Sequence, residues 1–266
     1  MAVISSYKSY GLKIFNGTSG AAVPSMRLVP GAWTTDDKEN TMTYDDEGAG
    51  QGLSCADCRQ LHCHRHDKRY PGFCPTESLD PHEREDLVDL YSSDGPDGRL
   101  ARAAAEVEGA YYGKLTRVEE TVAFARRLGV TRIGIASCLG LIEETRVLVR
   151  IIKLAGFETV AALCKVGSVD KTEIGIPETL KIKQGGFEAC CNPVLQARLL
   201  NRENTGLNII MGLCVGHDAL FCRHAEAPTT TLVVKDRVLG HNPVACLYTV
   251  GTYSARLLDE SRLRTL

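Results

Sequence analysis

Residues 131–163 read TRIGIASCLGLIEETRVLVRIIKLAGFETVAAL. The first seven residues, TRIGIAS, make a short apolar run of the kind that forms a strand buried on both faces. Residues 141–154 then read as a helix that Gly156 stops, because glycine accepts the left-handed conformation at a helix end. Residues 159–163 form a second strand. A strand, a helix and a strand at this spacing make the unit that builds parallel sheets.

The pattern continues in both directions. Downstream come a helix over 193–201, a strand over 207–213 (LNIIMGL), a helix opening at 217–222 and a strand over 230–234 (TTLVV). Upstream, Thr116 and Glu119 have capping-box spacing, and Val118, Val122, Ala125 and Leu128 recur at helical intervals before Gly129. Asp80, Pro81 and Glu83 open a helix running to about Tyr91, with Asp as cap and Pro in the first turn. After the turn cluster Ser93-Asp94-Gly95-Pro96-Asp97-Gly98, a further helix is expected over 100–110. Together these elements predict an α/β fold, a mainly parallel, Rossmann-like sheet with helices on both faces.

The chain of 266 residues divides on composition. Residues 1–52, rich in Gly, Ser, Thr and Asp, read as a disordered extension, with Met42 as a candidate true start. Residues 53–78 form a Cys-rich segment, and 79–266 the α/β core. The net charge of −2 offers no basic excess for nucleic acid. No apolar run is long enough to span a bilayer, and no secretory signal opens the chain. The expected location is therefore the cytoplasm. There, eleven cysteines are better suited to metal binding or chemistry than to disulfides.

Cys55, Cys58, Cys63 and Cys74 follow the spacing C-x2-C-x4-C-x10-C, which is enough to wrap one metal. Zinc held by four thiolates is one expectation. An iron–sulfur cluster is the other, since Cys74-Pro75 matches the pair closing ferredoxin-type runs. His62, His64 and His66 alternate around Cys63 and allow a mixed site.

A second set emerges from the strand ends. Cys138, Cys164 and Cys214 each follow a predicted strand, and Cys191 precedes the helix at Pro193. The carboxyl ends of parallel strands face one crevice where ligands bind. Cys138, Cys164, Cys191 and Cys214 are thus expected to share a cofactor site, with Cys191 preferred to Cys190 for its place beside the helix cap. Cys222 and Cys246 read as packing. His217 and His241 lie at junctions beside the same rim and are candidate acid–base groups, with Asp218 able to orient His217 or cap its helix. Cys138 and Cys214 are the candidate reactive thiolates. Lys165 is either an anion binder or a solvated charge, and Lys235-Asp236-Arg237 reads as a surface turn. The chain lacks a P-loop, a GxGxxG after its first strand and a GxSxG elbow, so nucleotide binding and serine hydrolysis have no support.

The segments IGIASCLGL, CKVGSVDK, CNPVLQARLLN, GLCVGHDALF and APTTTLVVKDRVLGHNP occur in this order. In these the chain resembles domain-of-unknown-function family 1847, over about residues 55–255. The resemblance implies metal binding and carries no reaction. The expected function is an iron–sulfur enzyme doing redox or sulfur chemistry on a small molecule at the strand ends. The alternative is a non-catalytic zinc-binding or metal- and redox-sensing protein.

Overall fold

The computed structural model describes residues 55–266 apart from Arg59, His66 and Lys68. The extension expected over 1–52 and the metal-ligand role considered for His66 lie outside the described residues. A short turn over Cys55–Asp57 belongs to one unit of the chain, and Cys58–Leu266 forms another.

The second unit opens with a one-turn helix α1 (His62–Arg65), followed by α2 (Pro81–Ser92), α3 (Pro96–Tyr111) and α4 (Arg117–Arg127). Asp80 caps α2 by accepting the His82 N–H, and Thr116 with Glu119 closes the capping box of α4. Helix α3 starts at Pro96, earlier than the expected residue 100, because proline's fixed φ suits a first helical turn. The α/β alternation follows: β1 (Arg132–Ser137), α5 (Ile142–Leu154), β2 (Glu158–Leu163), α6 (Pro193–Arg202), β3 (Leu207–Met211), α7 (His217–His224) and β4 (Thr229–Val233). Two short helices, α8 (Val244–Tyr248) and α9 (Glu260–Leu263), close the chain.

The strands form one parallel sheet in the order β2-β1-β3-β4. Alternate residues of each strand feed different cores. Ile133 and Ile135 of β1, with Leu207, Ile209 and Met211 of β3, pack on Ala125 of α4 and on Leu148 and Ile152 of α5. Ala136 and Ile210 point the other way, to Ala197 and Leu200 of α6 and Phe221 of α7. The sheet is therefore covered on both faces, as expected. Gly134 sits where α6 comes close: a Cβ there would lie 2.2 Å from Asn208 Oδ1 and 2.8 Å from Leu200 Cδ1.

Chain direction across the sheet reverses between β1 and β3. The α5 connection carries the chain from β1 to β2, and the α6 connection carries it back past β1 to β3. This is the topological switch point of a doubly wound sheet, and the crevice outside its carboxyl ends is the usual ligand position. Among the described residues, no helix is long and apolar enough to cross a membrane.

Candidate functional site

The strand-end cysteines meet because of register. Ser137 of β1 pairs with Leu163 of β2, so the next residues, Cys138 and Cys164, are neighbours across the ladder. The Cys164 N–H donates to Ser137 O at 2.8 Å, and the Leu139 N–H donates to Cys164 Sγ at 3.3 Å. Beneath them the buried Gln196 amide donates to Ser137 O at 3.1 Å and to Ala162 O at 2.7 Å. This ties the last turns of both strands to α6.

Cys191 reaches the same place by a long excursion after β2. Its base is pinned where Asn192 N–H donates to Cys164 O at 2.7 Å and Cys190 N–H to Val169 O at 2.8 Å. Farther out, the buried Lys181 Nζ stands 2.9 Å from both Asp170 and Glu178. Cys190 is buried and its N–H joins the excursion, while the Cys191 thiol influences Cys164.

The result is a row of three thiols with Cys164 in the centre. The Cys164 thiol is the largest cause lowering Cys138 to about 5, helped by the Gly140 N–H and Lys235 and opposed by burial. It is likewise the largest cause lowering Cys191 to about 5, helped by Lys165 and His217. Cys164 itself is pushed up, by the flanking thiols first and then by burial. One S–H cannot donate fully to two sulfurs, so the cations carry the remainder. Lys165 Nζ lies 3.4 Å from Cys191 Sγ and 2.6 Å from Ala189 O.

Cys214 comes from the other side of the switch point. Ser137 pairs with Met211, which sets Gly212 rather than Cys214 level with Cys138. Arg237 Nη2 donates to Cys214 Sγ at 2.9 Å. The four-cysteine set expected from sequence is thus assembled for Cys138, Cys164 and Cys191, with Cys214 paired to an arginine. His217 begins α7 beside Cys191, and its buried Nδ1 lacks a hydrogen-bond partner among the described residues. Asp218 accepts the Ala219 N–H instead of orienting His217. His241 Nδ1 accepts the Asp236 N–H at 3.2 Å, and its own N–H donates to Asp236 O at 2.9 Å, so here it fastens a loop.

Lys235-Asp236-Arg237 leads into an exposed turn, as expected, and it does more than that: Lys235 lowers the pKa of Cys138, and Arg237 donates to Cys214. The available signal was position, since these residues directly follow the fourth strand's carboxyl end. Cys222 is exposed on α7, and Cys246 Sγ donates to Pro243 O at 2.9 Å.

In the N-terminal cluster, Cys74 is buried, and the neighbouring Thr76 holds its pKa below the ordinary thiol value. Cys63 is exposed and Cys58 half-buried, and Cys55 belongs to the other unit. His62 Nδ1 pairs with the Arg69 carbonyl. Among the described residues, no group of three or more His, Cys, Asp or Glu is arranged to hold a metal ion. The thiols of Cys138, Cys164 and Cys191 have the donor chemistry of a soft-metal site, but they fit the expected four-thiolate set only in part.

Comparison with known proteins adds a family. A family model described as "Protein of unknown function (DUF1847)" matches residues 74–232. That span is narrower than the resemblance over about 55–255 and leaves Cys55, Cys58 and Cys63 outside it. An uncharacterized protein of Methanocaldococcus jannaschii is 45% identical over 161 residues, covering 60% of this chain and 81% of that protein. No solved structure matches the chain at a significant level.

Proposed function

The chain belongs to the family of proteins of unknown function numbered 1847, and from that premise we propose that it performs thiol-based redox or sulfur chemistry on a small molecule at the carboxyl ends of β1 and β2. The observation that carries this reading is the convergence of Cys138, Cys164 and Cys191 at the strand ends, with Lys165 Nζ 3.4 Å from Cys191 Sγ, an arrangement that lowers the pKa of both flanking thiols and raises that of the central one. Thiolates attack sulfur and other soft electrophiles, and a second thiol within reach completes the exchange.

In such a step the Cys138 or Cys191 thiolate attacks one sulfur of a small disulfide. The substrate S–S bond breaks, a mixed disulfide forms, and the first substrate thiolate leaves. Cys164 gives up its proton to that leaving group and attacks the protein-side sulfur, releasing the second substrate thiol. Two protein thiols have become a disulfide, and one disulfide has become two thiols. A dithiol donor restores the starting state.

The experiment is exchange with bis(2-hydroxyethyl) disulfide under anaerobic conditions, followed by peptide mass mapping. The expected product is a disulfide joining Cys164 to Cys138 or to Cys191, with two small thiols released per bond. Consumption that maps to other cysteines would overturn the reading.

Metal binding is the second reading, favoured by the lowered pKa of the Cys74 thiol, which suits a thiolate ligand. Zinc would be held by Cys55, Cys58, Cys63 and Cys74 and would supply structural stability. An iron–sulfur cluster would be held by Cys138, Cys164, Cys191 and Cys214 and would supply electron transfer. Iron, zinc and acid-labile sulfide measured per chain on protein purified without oxygen test both; metal-free, sulfide-free protein would refute them.

A further inference from the structure

The loop after β4 places two cations over two strand-end thiols on opposite sides of the switch point. Lys235 Nζ occupies the space above Gly140, 3.0 Å from where a Cβ would stand. Gly140 lies two residues after Cys138, so this places the ammonium group at the end of β1. Two residues later, Arg237 Nη2 stands 2.9 Å from Cys214 Sγ. The loop is tied closed between them. Asp236 Oδ1 accepts the Val238 N–H at 2.9 Å and the Leu239 N–H at 2.7 Å. His241 exchanges hydrogen bonds with the Asp236 backbone and takes φ 68 to do so. That conformation is uncommon outside glycine, so its retention marks a backbone held in place by the surrounding bonds.

The same loop borders a pocket of about 560 Å³, walled by Leu141, Met211, Val233, Val234 and Pro243, with His241 at its edge. This is the size range of small-molecule sites; the wall is mostly aliphatic, and Arg117, Glu144 and Thr231 also line it. Val234 passes directly into Lys235, so the apolar wall ends at the cations.

We propose that residues 235–241 form a cationic clasp that selects a small, apolar-bodied sulfur compound carrying an acidic group, seated between Cys138 and Cys214 at the β1/β3 switch point. The proposal rests on the thiol-exchange reading above and names its substrate class. Lys235 and Arg237 hold the acidic group. Asp236 and His241 are positioning residues that set the loop.

The test compares two disulfide probes on the full chain: 5,5′-dithiobis(2-nitrobenzoate), which carries two carboxylates, and neutral 2,2′-dithiodipyridine. In each, the protein thiolate attacks one sulfur and the aromatic thiol leaves, so the mixed disulfide can be assigned by peptide mass. The readout is the ratio of the two rates at Cys138 and Cys214. In the wild type this ratio should exceed that in Lys235→Gln/Arg237→Gln by about ten-fold at low salt and by much less in 1 M salt.

Gly140→Ala should lower the ratio at Cys138 without removing a charge, by displacing Lys235. His241→Gly should lower it at both thiols, and His241→Asn should restore part of it, since asparagine tolerates this φ and keeps an acceptor. A ratio unchanged by Lys235→Gln/Arg237→Gln overturns the clasp while leaving thiolate chemistry standing. Slow, pH-ordinary reaction of both probes in the wild type would instead sink the thiolate reading on which the clasp depends.

Discussion

Replacing Cys164 by alanine should change two other cysteines more than it changes the fold. Cys138 sits at about 5 with Cys164 as the largest cause. If the substitution raises a flanking thiol to about 8, short of its ordinary value because its lysine remains, its thiolate fraction at pH 6 falls from roughly 90% to roughly 1%. The more basic thiolate is intrinsically better, by roughly 16-fold for a Brønsted slope of ~0.4 over ~3 pH units. The net expectation is a fall of roughly six-fold in iodoacetamide alkylation at pH 6, reversing to a gain of up to roughly 16-fold where both forms are fully ionised. Because Cys164 has one proton to donate, the full effect should fall on either Cys138 or Cys191, the other being supported by its lysine. Cys164→Ser keeps an O–H donor and should stay near the wild type. The assay is alkylation at several pH values with peptide mass readout. Identical profiles for Cys164→Ala and the wild type, at acid and alkaline pH alike, would refute the claim that Cys164 sets the flanking thiolates.

Two further outcomes follow from the framework around the thiols. Gly134→Ala drives a Cβ to 2.2 Å from Asn208 Oδ1 and 2.8 Å from Leu200 Cδ1. It should cost about 3 kcal/mol or more in urea unfolding, and a midpoint within error of wild type would contradict the close α6 packing. Lys181→Met removes the cation that holds the Asp170 carboxyl well below the usual carboxylate range. A depressed carboxylate contributes stability above its unfolded pKa and loses it as pH falls through the folded one. The variant should therefore lose midpoint in urea at neutral pH and converge with the wild type only in strong acid, whereas a constant difference down to acid pH would count against the pair.

The alternation of strands and helices was legible because each strand is a short apolar run between clear helix stops, such as Gly129 before β1 and Gly156 before β2. That alternation also placed Cys138 and Cys164 at one rim. The pairing of Cys214 with Arg237 was not legible: β1 and β3 align Ser137 with Met211, which sets Gly212 level with Cys138, and strand spacing in sequence does not encode that offset. The roles of Lys235 and Arg237 were missed for a different reason. A Lys-Asp-Arg turn has the composition of an ordinary exposed loop, and only the path after β4, fastened by His241, carries it over the thiols. His241 was noticed for its chemistry; its left-handed backbone conformation and its bonds to Asp236 became visible only in the structure. The Lys181 clamp was invisible because its partners Asp170 and Glu178 meet it only once the excursion folds.

The most direct test of the thiol account is the pH profile of alkylation at Cys138 and Cys191 in the wild-type protein, resolved by peptide. The account predicts an inflection near 5 at one or both. Inflections at the ordinary thiol value of about 9 at both residues would contradict it.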